Sequence, residues 1–222
     1  VAPIENSTEG AIGRTLDLLL ATPLMICGEV VLRIHQNLMT HAGALADIKT
    51  VYSHAQSRAQ CHEWLNRTLP GVPRVSVASN SQAAQMAAAD PTSAAIAGEA
   101  AAELYGLPIL VPNIEDEPNN TTRFVVLGRQ DTGASGRDKT SLIMSTTNQT
   151  GALSTLLAPL SEAGVSMTRL ESRPARHTLW EYVFFVDIEG HRSDPAVASA
   201  LAELERRAAY LKVLGSYPVA VY

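Results

Sequence analysis

The run Gly151-Ala152-Leu153-Ser154-Thr155-Leu156-Leu157-Ala158-Pro159-Leu160-Ser161-Glu162-Ala163-Gly164 carries leucines at 153, 156, 157 and 160. These positions form one apolar stripe at helical spacing, and Gly164 is a natural stop, so the run predicts a helix over Ala152–Ala163. Before it, Thr140–Thr146 reads as a strand. After it come strands at Val165–Leu170 and Leu179–Ile188, a helix from Pro195 to about Ala208, and a closing strand at Tyr210–Leu214. The second helix has Asp194 as its expected cap and Pro195 in its first position. Val197, Leu201 and Leu204 face inward there, and Glu203 and Arg207 stand at the i,i+4 spacing of an ion pair. The order βαββαβ is the split βαβ unit of ferredoxin-like folds, which predicts a separate α+β domain over residues 137–222.

Upstream, Gln130–Asp138 is small and polar without periodicity and reads as a linker. From Val1 to about Arg129, short β-branched runs alternate with Ala-rich helical runs, the pattern of α/β packing around a largely parallel sheet. The expected strands are Leu24–Ile34, Thr50–Tyr52, Arg74–Ala78, Ala94–Ala97, Ile109–Val111 and Arg123–Leu127. The expected helices are Ile12–Leu20, Gln56–Leu65, Ser81–Ala89 and Glu99–Tyr105. The chain opens on the apolar, strand-like Val1-Ala2-Pro3-Ile4, as if inside a domain whose earlier residues lie outside it.

Composition narrows the function. With 222 residues, 46% hydrophobic and 18% charged, the chain has the make-up of a soluble globular protein. A net charge of −5 and 5% aromatic residues provide neither a basic stripe nor stacking platforms, which argues against nucleic acid. The longest apolar run, Leu18–Cys27, is interrupted by Thr22 and Pro23 and is too short to cross a bilayer. Cys27 and Cys61 lack C-x-x-C spacing, as expected of reduced thiols in a cytoplasmic protein. The six histidines show no zinc-ligand spacing, and no glycine-rich phosphate or dinucleotide fingerprint is present, so neither a metal nor a cofactor is expected. Ser53-His54 lacks the nucleophile-elbow context, and neighbours on a strand point to opposite faces, which argues against a Ser/His hydrolase.

What remains is a set of polar turns leaving apolar strands: Asn6-Ser7-Thr8, Ser53-His54, Ser79-Asn80-Ser81 and Thr121-Thr122-Arg123. Any one of them reads as helix capping. Together, at or near the carboxyl ends of strands in an α/β sheet, they mark a site that takes carboxylates on backbone N–H groups and small polar side chains.

These residues resemble a known family. Pro3-Ile4-Glu5-Asn6-Ser7 with Gly10, Val51-Tyr52-Ser53-His54 followed by Gln56, Gln60 and Cys61, and Asn120-Thr121-Thr122-Arg123-Phe124 are similar to the signature blocks of prephenate dehydratases. Gly151-Ala152-Leu153 and Glu171-Ser172-Arg173-Pro174 resemble the two ligand-contacting motifs of their C-terminal ACT regulatory domain. The style is that of the bifunctional P-protein, in which a chorismate mutase domain comes first. Asn80 stands where the family commonly has Thr, and Ala55 where it often has Pro.

The resemblance implies a two-lobed dehydratase domain over residues 1–136, similar to a periplasmic binding protein. Its lobes would be about 1–30 plus 113–130, and 31–112, set around a cleft, with the start of the first lobe missing. The ACT domain would follow over 137–222. The implied reaction takes prephenate to phenylpyruvate by loss of carbon dioxide and water, without a cofactor. Thr122 would assist the leaving hydroxyl, and Arg123 would supply charge or brace the turn. Asn6, Ser7, Ser53, Gln60, Asn80 and Ser81 would bind substrate. Gly151, Ala152, Leu153, Glu171, Ser172, Arg173 and Pro174 would bind L-phenylalanine as feedback inhibitor at the interface of a homodimer or a dimer of dimers. Arogenate dehydratase and a non-catalytic amino-acid sensor are the alternatives.

Overall fold

A computed structural model describes residues 1–147, 149–175 and 182–221 of the chain. In chain order, strands β1 (Ala2–Asn6) and β2 (Gly10–Ala11), helix α1 (Gly13–Ala21) and strand β3 (Met25–Arg33) come first. Strands β4 (Asn37–Thr40) and β5 (Thr50–His54), helices α2 (Ala55–Ala59) and α3 (His62–Thr68), and strand β6 (Arg74–Val77) follow. Helix α4 (Asn80–Ala89), β7 (Ser93–Ala97), α5 (Glu99–Tyr105), β8 (Ile109–Val111) and β9 (Thr121–Gly128) come next. The remainder is β10 (Asp138–Ser145), α6 (Ala152–Glu162), β11 (Met167–Pro174), β12 (Tyr182–Glu189), α7 (Pro195–Arg207) and β13 (Tyr210–Pro218). The expected strand start at 179–181 lies outside the described residues.

The chain divides into two compact units, one of Val1–Leu32 with Thr122–Tyr222 and one of Arg33–Thr121. The second unit holds a five-stranded sheet in the order β6-β5-β7-β4-β8. Only β6, β5 and β7 run parallel. Strand β4 is antiparallel to both β7 and β8, so the expectation of a largely parallel sheet is corrected to a mixed one. Strand β4 escaped detection because its four residues are all buried and so show no alternation. Ala83, Ala84 and Ala87 of α4 pack on Ala95 and Ala97 of β7, where small side chains allow helix and sheet to approach closely. Helix α5 ends at Gly106 in the left-handed conformation, φ 64°, an ordinary glycine stop.

The single helix expected over Gln56–Leu65 is two. The Asp116 carboxylate accepts the N–H groups of Glu63 and Trp64, both at 2.9 Å, and so starts a new helix after Cys61. That cap comes from 53 residues downstream and has no local sequence signal.

In the first unit, one four-stranded sheet has the order β2-β1-β9-β3 and another the order β11-β12-β10-β13. The second sheet is antiparallel at each of its pairings and carries α6 and α7 on one face, the split βαβ arrangement. Its other face is not free. Ile143, Val183, Phe185, Leu214 and Tyr217 share one core with Ile4, Leu16, Leu19, Ile26 and Val125, where sequence alone assigned a separate domain. A Cβ on Gly215 would come within 2.1 Å of the Ile26 carbonyl oxygen, so only glycine permits this approach of β13 to β3.

Two polar anchors join the shared core. Lys212 of β13 donates to the carbonyls of Leu19, Leu20 and Thr22 at 3.0, 3.1 and 2.7 Å, capping the C-terminus of α1 with a cation. Arg173 of β11 donates to Asp17 of α1 at 3.2 Å. The expected cap of α7 also changes. Asp194 accepts the His191 N–H at 2.8 Å and does not cap its own helix, while the Glu203–Arg207 pair forms at 2.6 Å.

Candidate active site

Two clusters gather the expected substrate residues, one in each unit. In the first unit, β1 and β9 are antiparallel neighbours with Asn6 opposite Thr122. The Asn6 amide donates to Thr122 Oγ1 at 2.9 Å, with the two residues only 5% and 8% exposed. Asn6 Oδ1 accepts the N–H groups of Thr8 and Glu9, both at 3.0 Å, so the turn beyond β1 locks the amide in one orientation. Because the Thr122 oxygen accepts from Asn6, its own O–H is directed elsewhere and is available as a donor. Ser7 lies exposed in the same turn.

Arg123 points elsewhere. Successive residues of a strand project to opposite faces, and the guanidinium donates to Glu29 Oε2 at 2.7 Å, Asp187 Oδ2 at 2.6 Å and the Tyr217 hydroxyl at 2.9 Å. Of the two roles expected of Arg123, supplying charge or bracing the turn, these contacts favour bracing: its side chain serves a buried network behind β9. Lys139 donates to both oxygens of Glu29, at 3.1 and 3.0 Å, and the Ala220 N–H adds a bond of 3.0 Å. Ser141 donates to Asp187 at 2.5 Å and shares a 2.6 Å bond with the Tyr217 hydroxyl.

Burial alone would raise the Glu29 pKa, but the Ala220 N–H and the charges of Arg123 and Lys139 outweigh it and hold the carboxyl below its ordinary value. Burial and Asp187 keep the Tyr217 phenol protonated well above its usual range. Glu29, Asp187 and Tyr217 were not singled out in the sequence. Only the isolated Glu29 within the apolar Met25–Leu32 run hinted that a charge would be buried.

The second unit places Ser53 at the end of β5, with its hydroxyl buried and without a partner among the described residues. The amide of Asn80 exchanges hydrogen bonds of 2.8 and 3.0 Å with Ser57, and its oxygen accepts the His54 N–H at 3.3 Å. Ser79 is the cap of α4, accepting from Gln82 N–H at 3.1 Å, while Ser81 is exposed in the first turn. Gln60 accepts from the Gln36 amide at 3.1 Å, and the Gln36 oxygen is buried without a partner among the described residues. Gln36 is thus an addition to the expected donor set. His54 Nδ1 accepts the Gln56 N–H at 3.3 Å and acts as a helix cap.

Of the residues expected to take an effector, Gly151 is left-handed at φ 76° and opens α6, with no atom near where its Cβ would stand. Ala152 is buried and Leu153 half-buried, outside the core that Leu156 and Leu160 complete. On β11, Glu171 and Arg173 are half-buried, and Ser172 and Pro174 are exposed.

A family model described as prephenate dehydratase matches residues 1–132, and one described as the ACT domain matches residues 140–206. The chain belongs to the prephenate dehydratase family. It is 58% identical to a bifunctional chorismate mutase/prephenate dehydratase of Neisseria gonorrhoeae, over all of this chain and 62% of that protein. It spans about three fifths of the length of this and other curated bifunctional relatives that it matches. Among solved structures, a prephenate dehydratase from Arthrobacter aurescens in complex with L-Phe matches at TM-score 0.87 and 36% identity, over 98% of this chain and 74% of that one. GqqA, described as a novel type of quorum quenching acylases, matches at TM-score 0.86 and 34% identity, over 99% and 81%. No helix among the described residues is long and apolar enough to cross a membrane.

Proposed function

We propose that the protein converts prephenate to phenylpyruvate, under feedback control by L-phenylalanine. The observation that carries this reading is the buried Asn6–Thr122 pair, which presents an oriented hydroxyl with its proton free to donate. Prephenate needs little else. Loss of its ring carboxylate as carbon dioxide and of its 4-hydroxyl as water makes the ring aromatic, so the protein has to hold the dianion and protonate the departing oxygen. Thr122 meets that oxygen and Asn6 orients Thr122. Ser7, Ser53, Gln60, Asn80 and Ser81, with Gln36, are the proposed donors to the substrate carboxylates, a role suited to neutral groups at strand ends and helix starts.

The same reading takes residues 1–136 as the dehydratase portion and 137–222 as the regulatory portion. The lobes are proposed to be of the periplasmic-binding-protein kind, supported by the two chain crossings at Leu32/Arg33 and Thr121/Thr122. L-phenylalanine is proposed to bind at Gly151, Ala152, Leu153 and Glu171–Pro174 in a homodimer, consistent with the L-Phe complex of the Arthrobacter relative. The free thiols of Cys27 and Cys61 support a reducing, cytoplasmic setting. The Ser53-His54 step lends no support to acyl chemistry, since His54 Nδ1 accepts the Gln56 N–H and strand neighbours project to opposite faces.

The test is turnover of the full-length protein on prephenate and on arogenate, with and without L-phenylalanine. Phenylpyruvate formation that falls at least about 100-fold in Thr122→Ala, with KM within a few-fold, supports the reading. Phenylalanine formed from arogenate in preference would make the protein an arogenate dehydratase, and no turnover of either would leave a sensor. Gly151→Val should remove calorimetric L-phenylalanine binding while sparing turnover.

A further inference from the structure

The buried network behind β9 has a second limb. Glu5, the neighbour of Asn6 on β1, lies 3.4 Å from the Arg169 guanidinium of β11. Arg123, the neighbour of Thr122 on β9, lies 2.6 Å from Asp187 of β12. Glu5 and Arg123 also face each other in register across β1 and β9, as Asn6 and Thr122 do. The two residues that carry the Thr122 hydroxyl are therefore each one step along the backbone from a charge held by the second sheet. Asp187 is 2% exposed and is itself fixed by Ser141, which is fixed in turn by Tyr217.

We propose that Asp187, which lies in the ACT-matching segment, is a positioning residue for dehydration: through Arg123 it sets the register and tilt of β9, and so the aim of the Thr122 hydroxyl. The inference rests on the dehydratase reading for its kinetic consequence. Its geometry stands without that reading. A strand backbone between two oppositely projecting side chains cannot move one without the other, and the Arg123 fork is held at Nε, Nη1 and Nη2 by three different groups. Gly215 lets β13 close against β3 beside the network, so displacement of the second sheet is passed on to the first.

The experiment compares wild type, Asp187→Asn and Tyr217→Phe in the full-length protein, each also in the Thr122→Ala background, by prephenate kinetics and by amide hydrogen exchange. Asp187→Asn should lower kcat at least about tenfold with KM within twofold, and the loss should vanish when Thr122 is already alanine. Exchange should quicken in Thr121–Phe124 and stay unchanged in β5 and β7. Tyr217→Phe, which removes one hydroxyl and keeps every charge, should show the same pattern at about threefold, and it carries the test if the Asp187 variant does not fold. Unchanged kcat, an undiminished loss in the Thr122→Ala background, or exchange that quickens uniformly would overturn the proposal. If wild type turns over no prephenate, the dehydratase reading fails. The exchange pattern still decides the link: loosening confined to β9 supports it, and unchanged β9 protection overturns it.

Discussion

Asn6 and Thr122 are 116 residues apart in sequence and joined by a 2.9 Å hydrogen bond, both residues buried. The bond exists because β1 and β9 pair antiparallel with these two residues opposite each other. It brings the first and last of the four polar turns together.

Asn6→Ala should therefore lower turnover on prephenate by about 10- to 100-fold while leaving Thr122 in place, because a hydroxyl without its donor is free to rotate. Asn6→Asp should be as poor, since a carboxylate accepts where an amide donated. Steady-state kinetics of both variants check this, and wild-type kcat in either would show that Thr122 acts without orientation.

Acid sensitivity follows from Glu29. Its folded pKa lies below its ordinary value of 4.5, so the carboxylate contributes stability at neutral pH that fades as pH falls from about 4.5 through the lower folded value. Glu29→Gln should be clearly less stable than wild type at pH 7, by about 2–4 kcal/mol, because Arg123 and Lys139 lose a buried partner. The gap should narrow as pH falls below about 4.5. Urea melts across that range measure it, and a gap that widens toward acid would reverse the sign of the argument.

Lys212 neutralises three carbonyls at the end of α1. Lys212→Met keeps most of the aliphatic stem and removes the charge, so it should lower stability by about 1–2 kcal/mol. Denaturant midpoints should show the loss at unchanged m-value.

Cys61 is fully buried, and burial followed by the charges of Asp116 and Glu115 pushes its thiol up to about 12. A maleimide at pH 7 should label it only on unfolding. Cys27, which is partly exposed, should be the site labelled in the native protein, as peptide mapping would show.

Much of the architecture is local and was therefore legible. The leucine stripe of α6 with its stop at Gly164, and the proline at the start of α7 with the Glu203–Arg207 pair on its surface, are set by residues within a turn or two of each other. The polar turns after β1 and β5, and the hydroxyl of Thr122, were visible because few other groups in so apolar a chain are available for chemistry. The buried helix break at Cys61, the direction of β4, and the destination of the Arg123 side chain depend on Asp116, β7, and Asp187, partners that lie dozens of residues away.

By itself the sequence determined most of the segments that become helices and strands, β4 and the break between α2 and α3 excepted, since periodicity and end signals act within a few residues. Tertiary structure alone decided which strands are neighbours and which face meets which. It thereby settled where the Arg123 side chain goes, a destination the sequence left open between supplying charge and bracing the turn. The physical reason is desolvation: a guanidinium excluded from water must find its anions nearby, and here they are Glu29 and Asp187, brought to it by packing two sheets around one apolar core.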